Sequence, residues 1–331
     1  MLQSKNRLAR AGFTVAELLV GATLGVVLLG GMMYLVTEML RTERTETARS
    51  ETEREMAQAL DYIASELREA VLVYDRNCLG ADGTGNGTTC QGLRLPRNTV
   101  LAFWKREELP DLNLLNLSGA PSDEYAVLDW YARNRCGGNQ DCQRVMNYTR
   151  TQYVLVVYVL CRNPGGPPTR PGGPACGFTT DTQPRGPARI VRGYFYQYQW
   201  APSFADRLAN LDPLTGPTWP STIPHWNGPN SDTAILVSNV DWTGDRVSIN
   251  CPPGYLSSTG AGSDTGFPSF FACVRERVGE GTGFVQDVYL YLRGNAAERA
   301  GLREIERGTN QFRPAVETQV RTRGSYNRRP S

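Results

Sequence analysis

The segment that decides the fold lies at the amino terminus, where residues 7–31 read RLARAGFTVAELLVGATLGVVLLGG. The first 12 residues carry three basic side chains and no acidic one, and a mainly apolar run over residues 13–36 follows. At about 1.5 Å per residue, a helix over this run is roughly 36 Å long, which exceeds a hydrocarbon core of about 30 Å. The run is too long for the apolar part of an ordinary signal peptide, and no A-x-A-like cleavage site follows it. We therefore predict a membrane-spanning helix with its basic end in the cytoplasm.

One carboxylate, Glu17, interrupts this apolar run. An ionised carboxylate inside hydrocarbon costs a few kcal/mol unless it is paired, and such residues usually mark function. We therefore expect a partner for Glu17, the alternative being an ordinary single-pass anchor with an isolated Glu near the interface.

The residues around Glu17, AGFTVAELLV, resemble the cleavage signal of type IV prepilins, which is a short basic leader ending in Gly, then Phe, then Glu as the fifth mature residue. The resemblance implies that a prepilin peptidase cleaves between Gly12 and Phe13 and that the new amine of Phe13 is methylated. It also implies that Glu17 is the family's assembly glutamate. In hydrocarbon, its carboxylate and the terminal ammonium of a neighbouring subunit would neutralise each other. The resemblance is specific over residues 7–36 and only architectural beyond them.

The helix is predicted to continue beyond the membrane, because residues 37–74 contain neither Pro nor Gly. Residues 56–74, MAQALDYIASELREAVLVY, carry an apolar stripe at steps of three and four. The stripe consists of Met56, Leu60, Ile63, Leu67 and Val71. The preceding RTERTETARSETERE is polar on all sides, and a coiled coil is the alternative for it, although sustained heptads are missing.

Beyond residue 75 the sequence changes to short runs rich in β-branched and aromatic residues. The predicted strands are TVLAFW, EYAVLDWYA, TQYVLVVYVLCR, ARIVRGYFYQYQW, TAILVSNVDW, RVSIN, SFFACVRE and FVQDVYLYLRG. We predict an α+β fold in which the stripe packs on an antiparallel sheet, as the resemblance to type IV pilins also implies. The predicted divisions are a leader at 1–12, a transmembrane or filament-core helix at 13–36, an amphipathic helix extension at 37–74 and an extracytoplasmic β-rich domain at 75–331.

Eight cysteines occur, all after residue 77, and none forms a C-x-x-C. An even number in loops rich in Gly and Pro favours disulfides over zinc or buried thiols, and it implies an oxidising compartment. Because loop closure favours neighbours, we predict four pairs. They are Cys78 with Cys90, Cys136 with Cys142, Cys161 with Cys176, and Cys251 with Cys273. Cys161 ends an apolar strand, so its pairing with Cys273 is left open.

The composition argues against catalysis and nucleic-acid binding. The 35 Lys and Arg residues nearly balance 33 Asp and Glu residues, and His225 is the one histidine. No G-x-S-x-G, H-E-x-x-H or Walker A motif occurs. The loop DGTGNG at residues 82–87 lacks the carboxylates of a calcium site. We therefore expect no enzymatic activity, no cofactor, no metal and no nucleic-acid partner.

The resemblance implies a minor pilin or pseudopilin of a type IV pilus-like machine, at or near the filament tip, that helps to initiate assembly for motility, adhesion or secretion. Its expected partners are a prepilin peptidase, other major and minor pilins or pseudopilins, the inner-membrane assembly platform and the membrane. It would reside in the inner membrane, with its carboxyl-terminal domain extracytoplasmic, before joining a surface or periplasmic filament.

The size of the domain resembles that of large PilW-like or J-type subunits. In addition, VYLYLRGNAAERAG followed by VETQVRTRGS is similar to the end of cyanobacterial polysaccharide-secretion pseudopilins. A type II secretion pseudopilin and a membrane-anchored binding protein or receptor are the alternatives.

Overall fold

The computed structural model describes residues 14–79, 95, 98–108, 124–136, 140, 143, 151–162, 186–196, 232–242, 247–259, 265–275, 285–302 and 312–322. The chain divides into two compact units, Met1–Ala48 and Arg49–Ser331. The first unit contains the apolar helical segment, and the second contains the β-sheets.

The longest element is helix α1 (Val15–Arg68), which includes most of the predicted transmembrane and amphipathic segments. It ends at Arg68, whereas the prediction extended the helix to residue 74. Val71, the last residue of the predicted stripe, lies instead in strand β1 (Ala70–Val73). The two valines of β1 favour extended backbone, and β1 pairs with a neighbouring strand, so sheet pairing ends the helix earlier than its periodicity suggests.

Two shorter helices and ten further strands complete the described elements. The helices are α2 (Arg76–Leu79) and α3 (Glu124–Cys136). The strands are β2 (Thr99–Glu108), β3 (Thr151–Arg162), β4 (Ala188–Tyr196), β5 (Asp232–Val240), β6 (Val247–Ser248), β7 (Tyr255–Ser257), β8 (Thr265–Gly266), β9 (Phe270–Arg275), β10 (Asp287–Arg293) and β11 (Ala315–Arg321).

The strands form antiparallel sheets with simple connections. A five-stranded sheet has the order β1-β2-β3-β4-β5, so each strand pairs with its neighbour along the chain. A four-stranded sheet has the order β11-β10-β9-β7, and β6 pairs with β8. The fold is therefore α+β, with a long amino-terminal helix and antiparallel sheets, as predicted.

A single hydrophobic core joins the second half of α1 to both larger sheets. The predicted stripe residues Met56, Leu60, Ile63 and Leu67 are each at most 2% exposed. They belong to one cluster with side chains of the five-stranded sheet, such as Phe103, and with residues of β9 and β10. This packing confirms the prediction that the stripe is buried against antiparallel sheet.

Helix α3 corrects one prediction, because its sequence EYAVLDWYA was expected to be a strand. Its buried residues are Val127, Leu128, Tyr131 and Ala132, which recur with the four-residue step of a helix. The β-branched and aromatic residues in this segment favoured a strand on composition, but the periodicity of burial is helical.

A side-chain amide links the end of β1 to the start of the four-stranded sheet. The Val73 N–H donates to Oε1 of Gln286 at 2.8 Å, and Nε2 of Gln286 donates to the Val73 carbonyl at 3.0 Å. The Gln286 backbone in turn exchanges hydrogen bonds with Thr322 at the end of β11. The amide thus satisfies both backbone groups of Val73 in the core, where leaving them unpaired would cost free energy.

Gly294, which follows β10, allows this part of the chain to approach helix α1 closely. A Cβ atom at this position would lie 2.6 Å from Cγ2 of Thr52 and 3.0 Å from Cγ of Met56. Both of those side chains are fully buried and have little room to move.

We expect Gly294→Ala to lower the free energy of unfolding by about 1–3 kcal/mol, because the added methyl group overpacks the contact with α1. Urea unfolding of the full chain in detergent micelles measures the change. In a Thr52→Ser background, which removes Cγ2 but keeps the hydroxyl group, the same substitution should cost less. An equal cost in both backgrounds would contradict the steric explanation.

Candidate functional site

The amino-terminal part of α1 presents an apolar surface of the kind that proteins bury in membranes or against other subunits. Large apolar side chains between Val15 and Leu40 are exposed, from 82% at Val15 to 48% at Leu40. The helix contains an 18-residue window with a mean hydropathy of 2.1, none of it buried. By length and composition α1 can cross a membrane, which is consistent with single-pass anchoring.

Glu17 lies in the first turn of α1, where it forms a reciprocal cap with Thr14. The backbone N–H and hydroxyl group of Thr14 each donate to Oε2 of Glu17 at 3.1 Å, and the Glu17 N–H donates to the Thr14 hydroxyl oxygen at 3.3 Å. This T-x-x-E arrangement is a capping box, which satisfies backbone donors that a helix start otherwise leaves unpaired. The three-residue spacing of Thr14 and Glu17 is the signal by which this capping box can be predicted from the sequence.

The cap leaves part of the Glu17 carboxylate available. Both hydrogen bonds that the Glu17 carboxylate accepts involve Oε2, and none from the described residues reaches Oε1. The side chain is exposed. Glu17 is therefore oriented by its own helix, and Oε1 keeps its capacity to accept a hydrogen bond. The predicted cleavage residues Gly12 and Phe13 lie outside the described residues.

A second group of charges, which the sequence analysis did not identify, lies where α1 packs on the five-stranded sheet. Glu66 is only 5% exposed, and side chains from three strands donate hydrogen bonds to its carboxylate. Lys105 Nζ of β2 donates to Oε1 at 2.9 Å. Arg192 of β4 donates through Nε to Oε2 at 2.9 Å and through its terminal nitrogen to Oε1 at 2.6 Å. The Tyr158 hydroxyl group of β3 donates to Oε2.

We define Glu66, Lys105, Tyr158 and Arg192 as the Glu66 cluster, in which these contacts shift the pKa values of Glu66 and Tyr158. Burial alone would raise the pKa of Glu66, but hydrogen bonds from Arg192, Tyr158 and Lys105 outweigh burial and hold it below its usual value. Burial and the Glu66 charge raise the pKa of Tyr158 well above its usual value, so the phenol stays neutral and donates. The arrangement is a buried, fully hydrogen-bonded ion cluster.

The Glu66 cluster connects one helix position to three adjacent strands. The Arg192 guanidinium also lies 4.2 Å from the Tyr194 ring centroid and 5.6 Å from that of Tyr62, which places it between a strand and the helix. A shift of α1 by one turn, about 5.4 Å, would separate Glu66 from its donors. The cluster therefore favours one register of α1 on the sheet.

A smaller ion cluster surrounds Asp241, which is 1% exposed and follows β5. Arg293 lies 2.8 Å from Oδ2, and Arg313 and Asn295 lie 3.4 Å and 3.0 Å from Oδ1. These contacts join the end of β5 to the segments around β10 and β11. Their chemistry is structural, since one buried carboxylate is paired with two guanidinium groups.

Cys251 and Cys273 form a disulfide with Cα atoms 5.8 Å apart, as predicted. It joins the segment before β7 to β9, and the pairing excludes the alternative in which Cys161 reaches Cys273. Cys161 is itself in a disulfide. The predicted pairs of Cys78 with Cys90, Cys136 with Cys142, and Cys161 with Cys176 each include a residue outside the described ones, so they stay predictions.

Among the residues that the structure describes, no group of three or more His, Cys, Asp or Glu side chains could bind a metal ion. His225 and the loop at residues 82–87 lie outside these residues. Comparison of the chain with protein families, with curated proteins and with solved structures finds no match.

Proposed function

We propose that this protein is a minor pilin or pseudopilin subunit of a type IV pilus-like machine, incorporated at or near the filament tip, where it helps to initiate assembly. The observation that carries the proposal is the position of Glu17. It lies in the first turn of an exposed apolar helix, five residues after the Gly12 cleavage site that the sequence resembles. A carboxylate within an apolar segment that could span a membrane is costly unless it is paired, so its place there favours a role in contacts between subunits.

The proposed assembly step uses the free oxygen of Glu17. When apolar helices of several subunits pack together, Oε1 of Glu17 accepts a hydrogen bond from the terminal ammonium of a neighbouring subunit. Two charges that would each be costly in hydrocarbon thereby neutralise each other. Because an offset of one turn breaks the pair, the contact also selects the register between subunits.

The β-rich second unit supports a specialised position in the filament. With 331 residues, the chain carries far more extracytoplasmic sequence than an apolar helix needs for assembly. A bulky subunit is accommodated most easily at an end of a filament, where it has fewer neighbours. A type II secretion pseudopilin, which is an alternative to this proposal, would use the same helix and the same carboxylate.

Processing provides the direct test. In cells with active prepilin peptidase, we expect the mature chain to begin at methylated Phe13, because RAGFTVAE matches the cleavage signal. Mass spectrometry of the amino-terminal peptide measures both the cleavage and the added methyl group. A Gly12→Val variant, which alters the residue before the cleaved bond, serves as the uncleaved control. A wild-type chain that keeps Met1 in such cells would contradict the proposal.

A further inference from the structure

A groove lies between α1 and the edge strand β5, entirely within the second unit. Its volume is about 670 Å³. Glu55 and Tyr62 are among the residues on its helix side, residues 235–239 form its strand side, and Arg299 also lines it. The volume is in the range of binding pockets.

The strand side of the groove includes backbone as well as side chains. Five consecutive residues of β5 line the groove, so its backbone contributes to the lining together with its side chains. Among the described strands, β5 is the last of its sheet; it pairs with β4 on its other side, and Val240 forms an isolated bridge with Gly294. Near its end the Asn239 carbonyl accepts a hydrogen bond from Asn295 N–H at 2.7 Å.

A β-bulge increases the number of backbone groups available in this groove. The partners of Val191 and Ile190 are Ile235 and Val237, so Leu236 is an extra residue without an opposite partner on β4. The extra residue of a bulge is left out of the ladder, and bulges often occur beside functional sites. An open row of N–H and C=O groups is complementary to the backbone of another extended chain.

The groove also contains two of the few large apolar side chains that are strongly exposed in the described part of the second unit. In the described part of that unit, the strongly exposed large apolar side chains are Tyr62 at 42%, Ile235 at 38% and Val285 at 52%. Two of these three line the groove. Apolar side chains beside free backbone groups are the combination that strand-binding sites present.

The charges and walls of the groove indicate which occupant fits. Arg299 lies 2.6 Å from Glu55 and 3.7 Å from Glu51, so the three charges at this end of the groove sum to −1 and Arg299 has no uncompensated charge for an anion. This disfavours an anionic polymer. Helix α1 lies beside the edge of β5, so the groove has room for one extended segment. The β5 strand of a second copy does not fit, because it is flanked by its own α1.

We propose that this groove binds an extended segment of another polypeptide, which hydrogen-bonds to the edge of β5 and covers Tyr62 and Ile235. The segment is neutral or basic and has apolar side chains at alternate positions, because only alternate residues of a strand face one side. This assignment does not depend on incorporation of the chain into a filament.

The test uses the full chain in lipid nanodiscs and a phage-displayed library of random nine-residue peptides, with empty nanodiscs for counter-selection. We expect enriched peptides whose affinity falls at least tenfold in the Ile235→Lys and Tyr62→Ala variants. The matched control is Val285→Lys, which alters an exposed apolar residue outside the groove and should leave the affinity unchanged. Circular dichroism and thermal unfolding confirm that each variant is folded.

Amide hydrogen exchange shows whether the bound peptide pairs with β5. Those amides of residues 233–238 that point away from β4 should exchange quickly in the free chain and at least tenfold more slowly with the peptide, whereas the amides that donate to β4 should be protected in both states. N-methylation of every second peptide amide should abolish binding when the methylated amides are those that face β5. It should leave binding unchanged when they are those that face away from β5. Slow exchange of the amides that point away from β4 in the free chain, or binding that the groove variants leave unchanged, would overturn the proposal. If the chain dimerises at higher concentration and the same amides then exchange as slowly as they do with the peptide, a second copy occupies the groove. That result would also overturn the proposal.

Discussion

Replacing Glu17 with Ala is expected to reduce incorporation of the protein into filaments at least tenfold while leaving membrane insertion intact. Without the carboxylate, the terminal ammonium of a neighbouring subunit has no partner in hydrocarbon, where leaving a charge unpaired costs several kcal/mol. Insertion itself should become easier, because a charged residue is removed from an apolar segment. Immunoblots of sheared filaments and of the membrane fraction measure the two quantities separately.

Two control variants separate the charge of Glu17 from its capping function. Thr14→Ala removes the hydroxyl group that both donates to Glu17 and accepts from its N–H, at a cost of about 1 kcal/mol in helix stability, but it keeps the carboxylate. It should therefore still enter filaments. Glu17→Gln keeps the shape and a capping oxygen but loses the charge, so it should behave like Glu17→Ala. Normal incorporation of Glu17→Ala after complete cleavage would contradict the proposed pairing.

Replacing Glu66 with Ala is expected to lower the free energy of unfolding by about 3–5 kcal/mol, since it leaves buried Lys105 and the Arg192 guanidinium without their carboxylate. Urea unfolding of the full chain in detergent micelles at pH 7 measures the loss. Glu69→Ala is the control, because Glu69 is 59% exposed at 3.9 Å from Lys105 and should contribute less than about 1 kcal/mol. If Glu66→Ala lowers the free energy of unfolding by less than about 1 kcal/mol, the Glu66 cluster does not stabilise the fold as proposed.

The Glu66 cluster should make the free energy of unfolding depend on pH, with a stabilising contribution that is lost as the pH falls. The native pKa of Glu66 is lowered, so its contribution is fully present above the unfolded pKa of about 4.3 and is lost as the pH falls through the native value. The difference in the free energy of unfolding between wild type and Glu66→Ala should therefore become smaller below about pH 4. Replacing Glu66, Lys105 and Arg192 together with Met should be far less damaging than the single change, because no unpaired charge remains.

Elements governed by local periodicity were predictable from the sequence. The long helix and its buried stripe followed from apolar steps of three and four, and most strands followed from their β-branched content. Where composition and periodicity disagreed, as in EYAVLDWYA, composition gave the wrong element. At residues 70–73 the pairing of β1 with β2 overrode the helical pattern.

The Glu66 cluster could not be predicted, because its members come together only in three dimensions. Lys105 and Arg192 lie 39 and 126 residues from Glu66 along the chain. One signal was available, however, since Glu66 lies three residues after Ile63 and directly before Leu67, on the apolar side of the helix. A carboxylate at such a position predicts a buried cationic partner without identifying it.

The contact between Gln286 and Val73 has a consequence for biosynthesis. The two residues are separated by 213 positions, so the contact forms only after nearly the whole chain has been made. At about 5–20 residues per second, translation from one to the other takes roughly 10–40 s. During that interval the stripe on α1 lacks the strands β9 and β10 that cover it, although α1 is already complete. The apolar face of α1 therefore stays uncovered for many seconds during synthesis, a period in which exposed apolar surface makes a folding chain prone to aggregate.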